Sequence, residues 1–224
     1  VEDMYPSLPR AEVLKEVSRL IKLPHFWPKI NKKALIKQKA FELFLSNRYE
    51  FASVNEIVQA SEIAKGTYYN YYQTKDEVYL DILKDHLKEW FDETLLKISK
   101  EFDRKRIIPL ILEGLFNNEV FLELLSKTQL TTGNNIDDTI MKEFREDFFS
   151  KVDVLSDILS MKLKMEKEET FHLFIQTYSL IVGTWQTSRR PQNLNNHSIP
   201  IENLFLNFRR DLTQMTLKIW DQAP

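Results

Sequence analysis

The sequence predicts an all-α protein, and three observations carry that prediction. Only four glycines occur in 224 residues, and long stretches pass with neither glycine nor proline, whereas sheets need the frequent tight turns those residues supply. Apolar residues recur at helical spacings of three and four along most of the chain. Two segments, Ser53-Val54-Asn55-Glu56 and Thr74-Lys75-Asp76-Glu77, have the capping-box pattern, in which a hydroxyl and a carboxylate satisfy the free N–H groups at a helix start.

Taken in order, residues 10–22 place Val13, Val17, Leu20 and Ile21 on one face of a first helix, and Pro24 and Pro28 then break it. A second helix is expected from about Asn31, with Ile36, Ala40, Leu43 and Phe44 on one face. The Ser53 box opens a short helix with Val54, Ile57 and Val58 inward, and the Thr74 box opens a long one carrying Tyr79, Ile82, Leu83, Leu87, Trp90 and Phe91. Between the boxes there is room for one more helix, around 64–71. Beyond residue 100, Pro109 and Asn117-Asn118 are expected to interrupt the pattern, and 131–135 to form a loop. Asp137 and Asp138 suit the positive end of a helix running to about residue 165. Another should span 167–190, and a last one should begin near Pro200 after the loop 191–198.

Composition limits the functional classes. There is no cysteine, hence no disulfide, thiolate metal site or cysteine nucleophile. No apolar run reaches the 18–20 uncharged residues of a membrane span, and the acidic start lacks the basic and apolar stretches of a signal peptide, so no membrane partner is expected and the chain reads as cytoplasmic. A first residue other than Met suggests a processed or truncated start. Enzyme signatures are missing too. His25, His86, His172 and His197 are scattered, and there is no nucleophile elbow, phosphate loop or dinucleotide fingerprint. No cofactor is implied.

Charge is unevenly placed. Between residues 29 and 75, Lys29, Lys32, Lys33, Lys37, Lys39, Arg48, Lys65 and Lys75 stand against Glu42, Glu50, Glu56 and Glu62, while the rest of the chain is net acidic. This fits a local polyanion contact or, equally, a solvated helix face. Three short helices in this segment, the third after a tight turn, have the layout of a helix-turn-helix DNA-binding module. Within it, residues 65–79 read KGTYYNYYQTKDEVY, with four of the eight tyrosines on five positions. The helical period puts Tyr68 and Tyr72 on one face and leaves Tyr69 and Tyr71 off it.

Residues 31–83 resemble the N-terminal domain of the TetR family of transcriptional repressors. The shared features are Leu43-Phe44 ending a basic helix, Ser53-Val54 opening the next, the segment from Lys65 to Tyr72, and Thr74-Lys75-Asp76 opening the long helix. The match covers about a quarter of the chain. By that resemblance residues 31–77 form the DNA-binding domain and 78–224 an effector-binding and dimerisation domain, with 1–30 as a helical extension outside the usual layout, expected to dock through Val13, Val17 and Leu20. Tyr68 and Tyr72 stand where the family has Leu and Phe and should pack inward. Lys65, Gly66, Thr67, Tyr69, Asn70 and Tyr71 then face DNA, with Asn70 suited to adenine, Tyr69 to phosphate or a thymine methyl, and Tyr71 to phosphate. Ser53, Asn55 and Lys75 join them at two helix starts, and Lys32 and Lys33 ahead of the first. Arg48 and Glu62 occupy positions where the family usually has glycine; a left-handed turn there costs a non-glycine residue roughly 1 kcal/mol, and at Glu62 either an acid comes close to the DNA and lowers affinity or the turn differs in detail.

The C-terminal helices carry apolar seams: Phe171, Ile175, Tyr178, Val182 and Trp185, then Ile201, Phe205, Phe208, Leu212, Met215 and Ile219. Further apolar residues lie off these seams, so the helices are buried on more than one side, by a second subunit or by the core of a monomer. The dimer reading assigns Phe171, Ile175, Tyr178, Val182, Phe205, Phe208, Leu212 and Met215 to the interface. The resemblance also implies a pocket for a small-molecule effector, apolar or aromatic in character, for which Phe121, Phe148, His172 and Gln176 are candidates; core or surface roles are the plainer alternative. The expected function is a ligand-released repressor that binds a palindromic operator as a homodimer. The rivals are a helical adaptor with a vestigial DNA-binding half and a metal-free enzyme.

Overall fold

The computed structural model describes residues 31–116, 118–128, 135–189 and 205–221, and its backbone divides into two units, Val1–Leu35 and Ile36–Pro224. The account below concerns the second, together with residues 31–35 of the first, where a helix that continues into it begins. The expected helix at 10–22 with its docking face, most of the 131–135 loop, the loop at 191–198 and the start at Pro200 lie outside the described residues.

Nine helices make up the described residues: α1 (Lys32–Ser46), α2 (Val54–Ala60), α3 (Lys65–Tyr69), α4 (Lys75–Lys100), α5 (Arg104–Phe116), α6 (Glu119–Lys127), α7 (Asp138–Leu163), α8 (Lys167–Ser188) and α9 (Phe208–Asp221). No strand occurs among them. Helix α1 buries Ile36, Ala40 and Phe44 completely, at the spacing its sequence dictates. It ends in a left-handed turn at Arg48 (φ 54°) and Tyr49 (φ 67°), where the Tyr49 N–H reaches back to the Phe44 carbonyl at 2.8 Å. The capping box of α2 is complete: Ser53 Oγ accepts from Glu56 N at 3.3 Å and Glu56 Oε2 accepts from Ser53 N at 2.7 Å.

The start of α4 departs from the expected box. Thr74 Oγ1 accepts from Glu77 N, but the Glu77 carboxylate accepts from Gln73 N at 2.7 Å, one residue earlier than the pattern requires. Glu77 is buried, so its side chain sits under the turn and fastens the chain entering α4. Along its length α4 buries Tyr79, Leu83, Leu87, Trp90 and Phe91 and packs against α5, α6 and α7. Each such apolar side chain taken from water is worth about 1.5–3 kcal/mol, which makes α4 the spine of the unit.

Pro109 does not interrupt the chain as expected. It lies inside α5, where its missing N–H deprives the Lys105 carbonyl of a helical partner. Lys105 is exposed, so water can take that place, while Ile107, Ile108, Ile111 and Leu112 hold the helix to the core. Asn118 caps α6 through Phe121 N, and Asp137 caps α7 through Thr139 N and Ile140 N, which hold its carboxyl below the usual range.

The last helix also differs. Residues 205–207 are not helical, and α9 starts at Phe208 because Asn207 Oδ1 accepts from Arg210 N while Asp211 Oδ2 accepts from Asn207 N. This reciprocal cap fixes the start. Helix α9 turns Leu212, Thr216 and Trp220 inward against α5 and α8, and the Trp220 indole donates to Thr177 Oγ1 at 2.9 Å. Helix α8 likewise has an inner face of Thr170, Leu173, Phe174, Thr177, Ile181 and Thr184.

Candidate nucleic-acid interface

The turn between α2 and α3 is made without glycine. Glu62 sits at φ 52°, its N–H bonded to the Gln59 carbonyl at 3.2 Å, and the next N–H, of Ile63, reaches the Val58 carbonyl at 3.4 Å. Those two bonds are the paired closure of a left-handed helix end, with glutamate in the position that glycine fits best. Of the two alternatives at Glu62, the left-handed turn is the one present, and Arg48 is left-handed too. The Glu62 side chain is exposed beside the start of α3.

Helix α3 is shorter than the expected 64–71, with Asn70 already its C-terminal cap. Its tyrosines divide by face. Tyr68 is 0% exposed and Tyr72 3%, whereas Tyr69 is 39% and Tyr71 42% exposed. The buried pair satisfies its hydroxyls: Tyr68 donates to the Thr74 carbonyl at 2.9 Å and Tyr72 to Asp81 Oδ2 at 2.6 Å. Burial, and for Tyr72 the Asp81 carboxylate as well, pushes both phenols well above their ordinary titration range. They are neutral hydrogen-bond donors at any working pH.

Outward from that anchored face stand Lys65, Gly66, Tyr69, Asn70 and Tyr71, all exposed, with Thr67 half-buried. A Cβ at Gly66 would meet nothing within 4 Å, so in the free chain this glycine fills no packing need and leaves the backbone open to a ligand's approach. Ser53 and Asn55 are exposed at the start of α2, and Lys75 is half-buried at the start of α4. Lys32 and Lys33 are exposed in the first turn of α1. Exposed amide, hydroxyl and ammonium groups around a helix that contributes no packing of its own outer face can pair with base edges and phosphates.

The effector candidates are not brought together. Phe121 and Phe148 are buried, but His172 and Gln176 lie on the exposed side of α8, because the helix turns 173, 174 and 177 inward. Phe121 lies beside the rings of His86 and Trp90, and Phe148 beside those of Phe91, Phe144, Phe149 and Tyr178, while Phe174 packs on Trp90 and Phe91. Ring centroids are 6.3 Å apart for Trp90–Phe121, 6.1 Å for Phe91–Phe148 and 6.2 Å for Phe91–Phe174. Gly114 lets the Trp90 indole lie against α5, since a Cβ there would come within 3.2 Å of Nε1. Trp90 and Phe91 are expected apolar positions of the helix opened by Thr74, but Phe174 lies off the Phe171–Trp185 seam, and nothing in the spacing marks the three as one cluster.

For the dimer candidates, Phe171, Ile175, Tyr178 and Val182 form a half-buried stripe on α8 distinct from its inner face, and Phe208 and Met215 are half-buried on α9. Leu212 does not belong with them: it is 0% exposed within the single chain, so the expectation that it lies on an outer seam is corrected. Phe205 is half-buried but precedes the helix. Among the described residues no cluster of metal-ligating side chains occurs, and no helix is long and apolar enough to cross a membrane.

A family model described as the tetracyclin repressor-like C-terminal domain matches residues 84–219. The HTH-type transcriptional regulator QacR of Staphylococcus aureus is 36% identical over 64 residues, 29% of this chain and 34% of that protein. The HTH-type dhaKLM operon transcriptional activator DhaS of Lactococcus lactis is 31% identical over 97 residues, 41% of this chain and 50% of that one. The chain thus spans half or less of the curated relatives it matches. In solved structures, the fatty acid degradation regulator FadR from Bacillus halodurans aligns over 86% of this chain and 96% of its own, with TM-score 0.57 and 13% identity. The TetR-family regulator PfmR from Thermus thermophilus aligns over 82% and 96%, with TM-score 0.53 and 16% identity. These two likenesses are of fold alone.

Proposed function

Because the chain belongs to the TetR family of transcriptional regulators, its family model covering residues 84–219, we propose that it represses transcription by binding a palindromic operator as a homodimer and that a small molecule releases it. The observation that carries the reading is the division of α3: Tyr68 and Tyr72 bury and anchor the helix, and Lys65, Gly66, Tyr69, Asn70 and Tyr71 are left facing out. In this reading residues 31–77 are the DNA-binding domain and 78–224 the effector and dimerisation domain. Asn70 pairs with adenine in the major groove, while Tyr69 meets phosphate or a thymine methyl and Tyr71 a phosphate. Thr67 and Asn55 approach the bases. Lys32, Lys33, Ser53 and Lys75 meet phosphates, Lys75 at the positive end of a long helix. With DNA as its ligand, the protein works in the cytoplasm.

The half-buried stripes Phe171–Ile175–Tyr178–Val182 on α8 and Phe208–Met215 on α9 are the proposed dimer contact, a second apolar face that the chain's own core leaves partly open. The effector reading rests on the aromatic cluster Trp90, Phe91, Phe121, Phe148 and Phe174, which favours an apolar or aromatic molecule. One relative is named an activator, so the sign of regulation needs its own measurement. The test is binding to duplexes enriched from a random library, followed by transcription from a promoter carrying the enriched site. Asn70→Ala should relax discrimination at one base position, and Lys75→Ala should weaken all sequences alike. A chain that ignores duplex DNA even at low salt, where phosphate contacts are strongest, ends this reading.

A further inference from the structure

We propose that Tyr72 and Asp81 form a positioning latch that fixes the orientation of α3 and thereby sets discrimination between DNA sequences; the inference rests on the reading of α3 as the base-contacting helix. Helix α3 has five residues, and its N-cap, Ala64, supplies no side-chain bond, so it cannot hold its own geometry. Its orientation is imposed from outside. Tyr68 sits in the core and is tied to the Thr74 carbonyl. Tyr72, one turn on, is tied to Asp81 of α4 by a 2.6 Å bond. Asp81 in turn lies 3.9 Å from the Lys37 ammonium of α1, which also pairs with Asp85 at 2.6 Å. One carboxylate therefore joins α1, α4 and the end of α3.

A phenylalanine would fill the Tyr72 position in apolar terms without a hydroxyl to desolvate. What the hydroxyl adds is direction. A short bond to a carboxylate is roughly twice as strong as a neutral one and admits one arrangement of donor and acceptor. Tyr69, Asn70 and Tyr71 lie one to three residues away on the same short piece of backbone, so a rotation of Tyr72 carries them with it. Base-edge contacts lose their geometry under such a rotation, whereas phosphate contacts tolerate it.

The test compares affinity for a duplex enriched by the wild-type chain with affinity for mixed-sequence DNA at fixed salt. Tyr72→Phe should bind the enriched duplex about tenfold more weakly, the lower range for a bond to a charged acceptor, and mixed DNA less than twofold more weakly. Asp81→Leu should lose as much, the double variant no more than either single, and Asp81→Asn, which keeps an acceptor, should retain most of the affinity. A second readout needs no DNA. The amides of Tyr71 and Tyr72, bonded to the Tyr68 carbonyl at 2.9 and 3.1 Å, should exchange about tenfold faster in Tyr72→Phe, with the Ser61 amide of α2 unchanged. Equal losses on both DNAs, additive losses in the double variant, or unchanged exchange overturn the latch. If the wild-type chain binds no duplex at all, the regulatory reading falls, and the exchange rates alone decide whether the latch exists.

Discussion

Tyr79→Phe isolates one hydroxyl that ties three segments together. Tyr79 Oη accepts from Ala52 N at 2.9 Å and donates to the Ala40 carbonyl at 3.2 Å, joining α4, the approach to α2 and α1. The ring stacks on Phe51 with centroids 4.0 Å apart and planes 5° from parallel, and phenylalanine keeps that contact, so apolar burial barely changes. The Ala40 carbonyl retains its place in the α1 ladder. The Ala52 N–H, on a residue 2% exposed, is left with nothing. An orphaned buried donor costs about 1–3 kcal/mol. Taking about 2 kcal/mol, a chain of this size should melt roughly 4–8 °C lower by circular dichroism, and the Ala52 amide should exchange about thirtyfold faster. Base titration adds a second handle. Burial pushes the Tyr79 phenol up to about 12, above the ordinary phenol range. The folded chain thus holds a proton that the unfolded chain releases between pH 10 and 12, so stability falls as pH rises through that window. The variant should lack this part of the fall. A melting point within 1 °C of wild type together with unchanged Ala52 exchange would refute the reasoning.

Two further substitutions test the surroundings of the proposed interfaces. Glu62→Gly should stabilise the chain by about 0.5–1 kcal/mol, since the left-handed penalty is partly offset by glycine's freer unfolded state, and should also strengthen DNA binding by removing an acid beside α3; chemical denaturation and a binding isotherm check the two effects separately. On the outer stripe, Ile175→Asp should yield a folded monomer by analytical ultracentrifugation, whereas Leu212→Ala should leave the oligomer's contacts alone and cost about 2–5 kcal/mol as a core cavity. A reversal of those two outcomes would exchange the roles assigned to the residues.

The reach of the sequence depended on whether a signal was local. The tyrosine quartet divides as its period demands, and the Ser53 box forms because both partners belong to one turn. The Thr74 box slips by one residue because Glu77 is buried and finds Gln73 N instead, a consequence of tertiary packing. In α9 the spacing gave the periodicity but not the face: Asn207 and Asp211 reset the helix start, and contact with α5 and α8 turned Leu212 inward. His172 and Gln176 have the chemistry of a ligand site, but the phase of α8 turns them outward. The cluster of Trp90, Phe91 and Phe174 with Phe121 and Phe148 draws on α4, α6, α7 and α8, so no single window of sequence contains it.

Among the described residues four non-glycine side chains, Arg48, Tyr49, Glu62 and Lys164, occupy left-handed backbone, with φ between 52° and 67°. At roughly 1–2 kcal/mol apiece, their combined native-state burden is comparable with much of the net stability of an ordinary domain. The opposing benefit acts before folding, because a chain poor in glycine samples fewer unfolded conformations at every such turn. The protein has thereby shifted part of its conformational entropy cost into local torsional strain at helix ends. Those turns constitute a reserve: stability can be raised there one residue at a time without disturbing a single packed side chain.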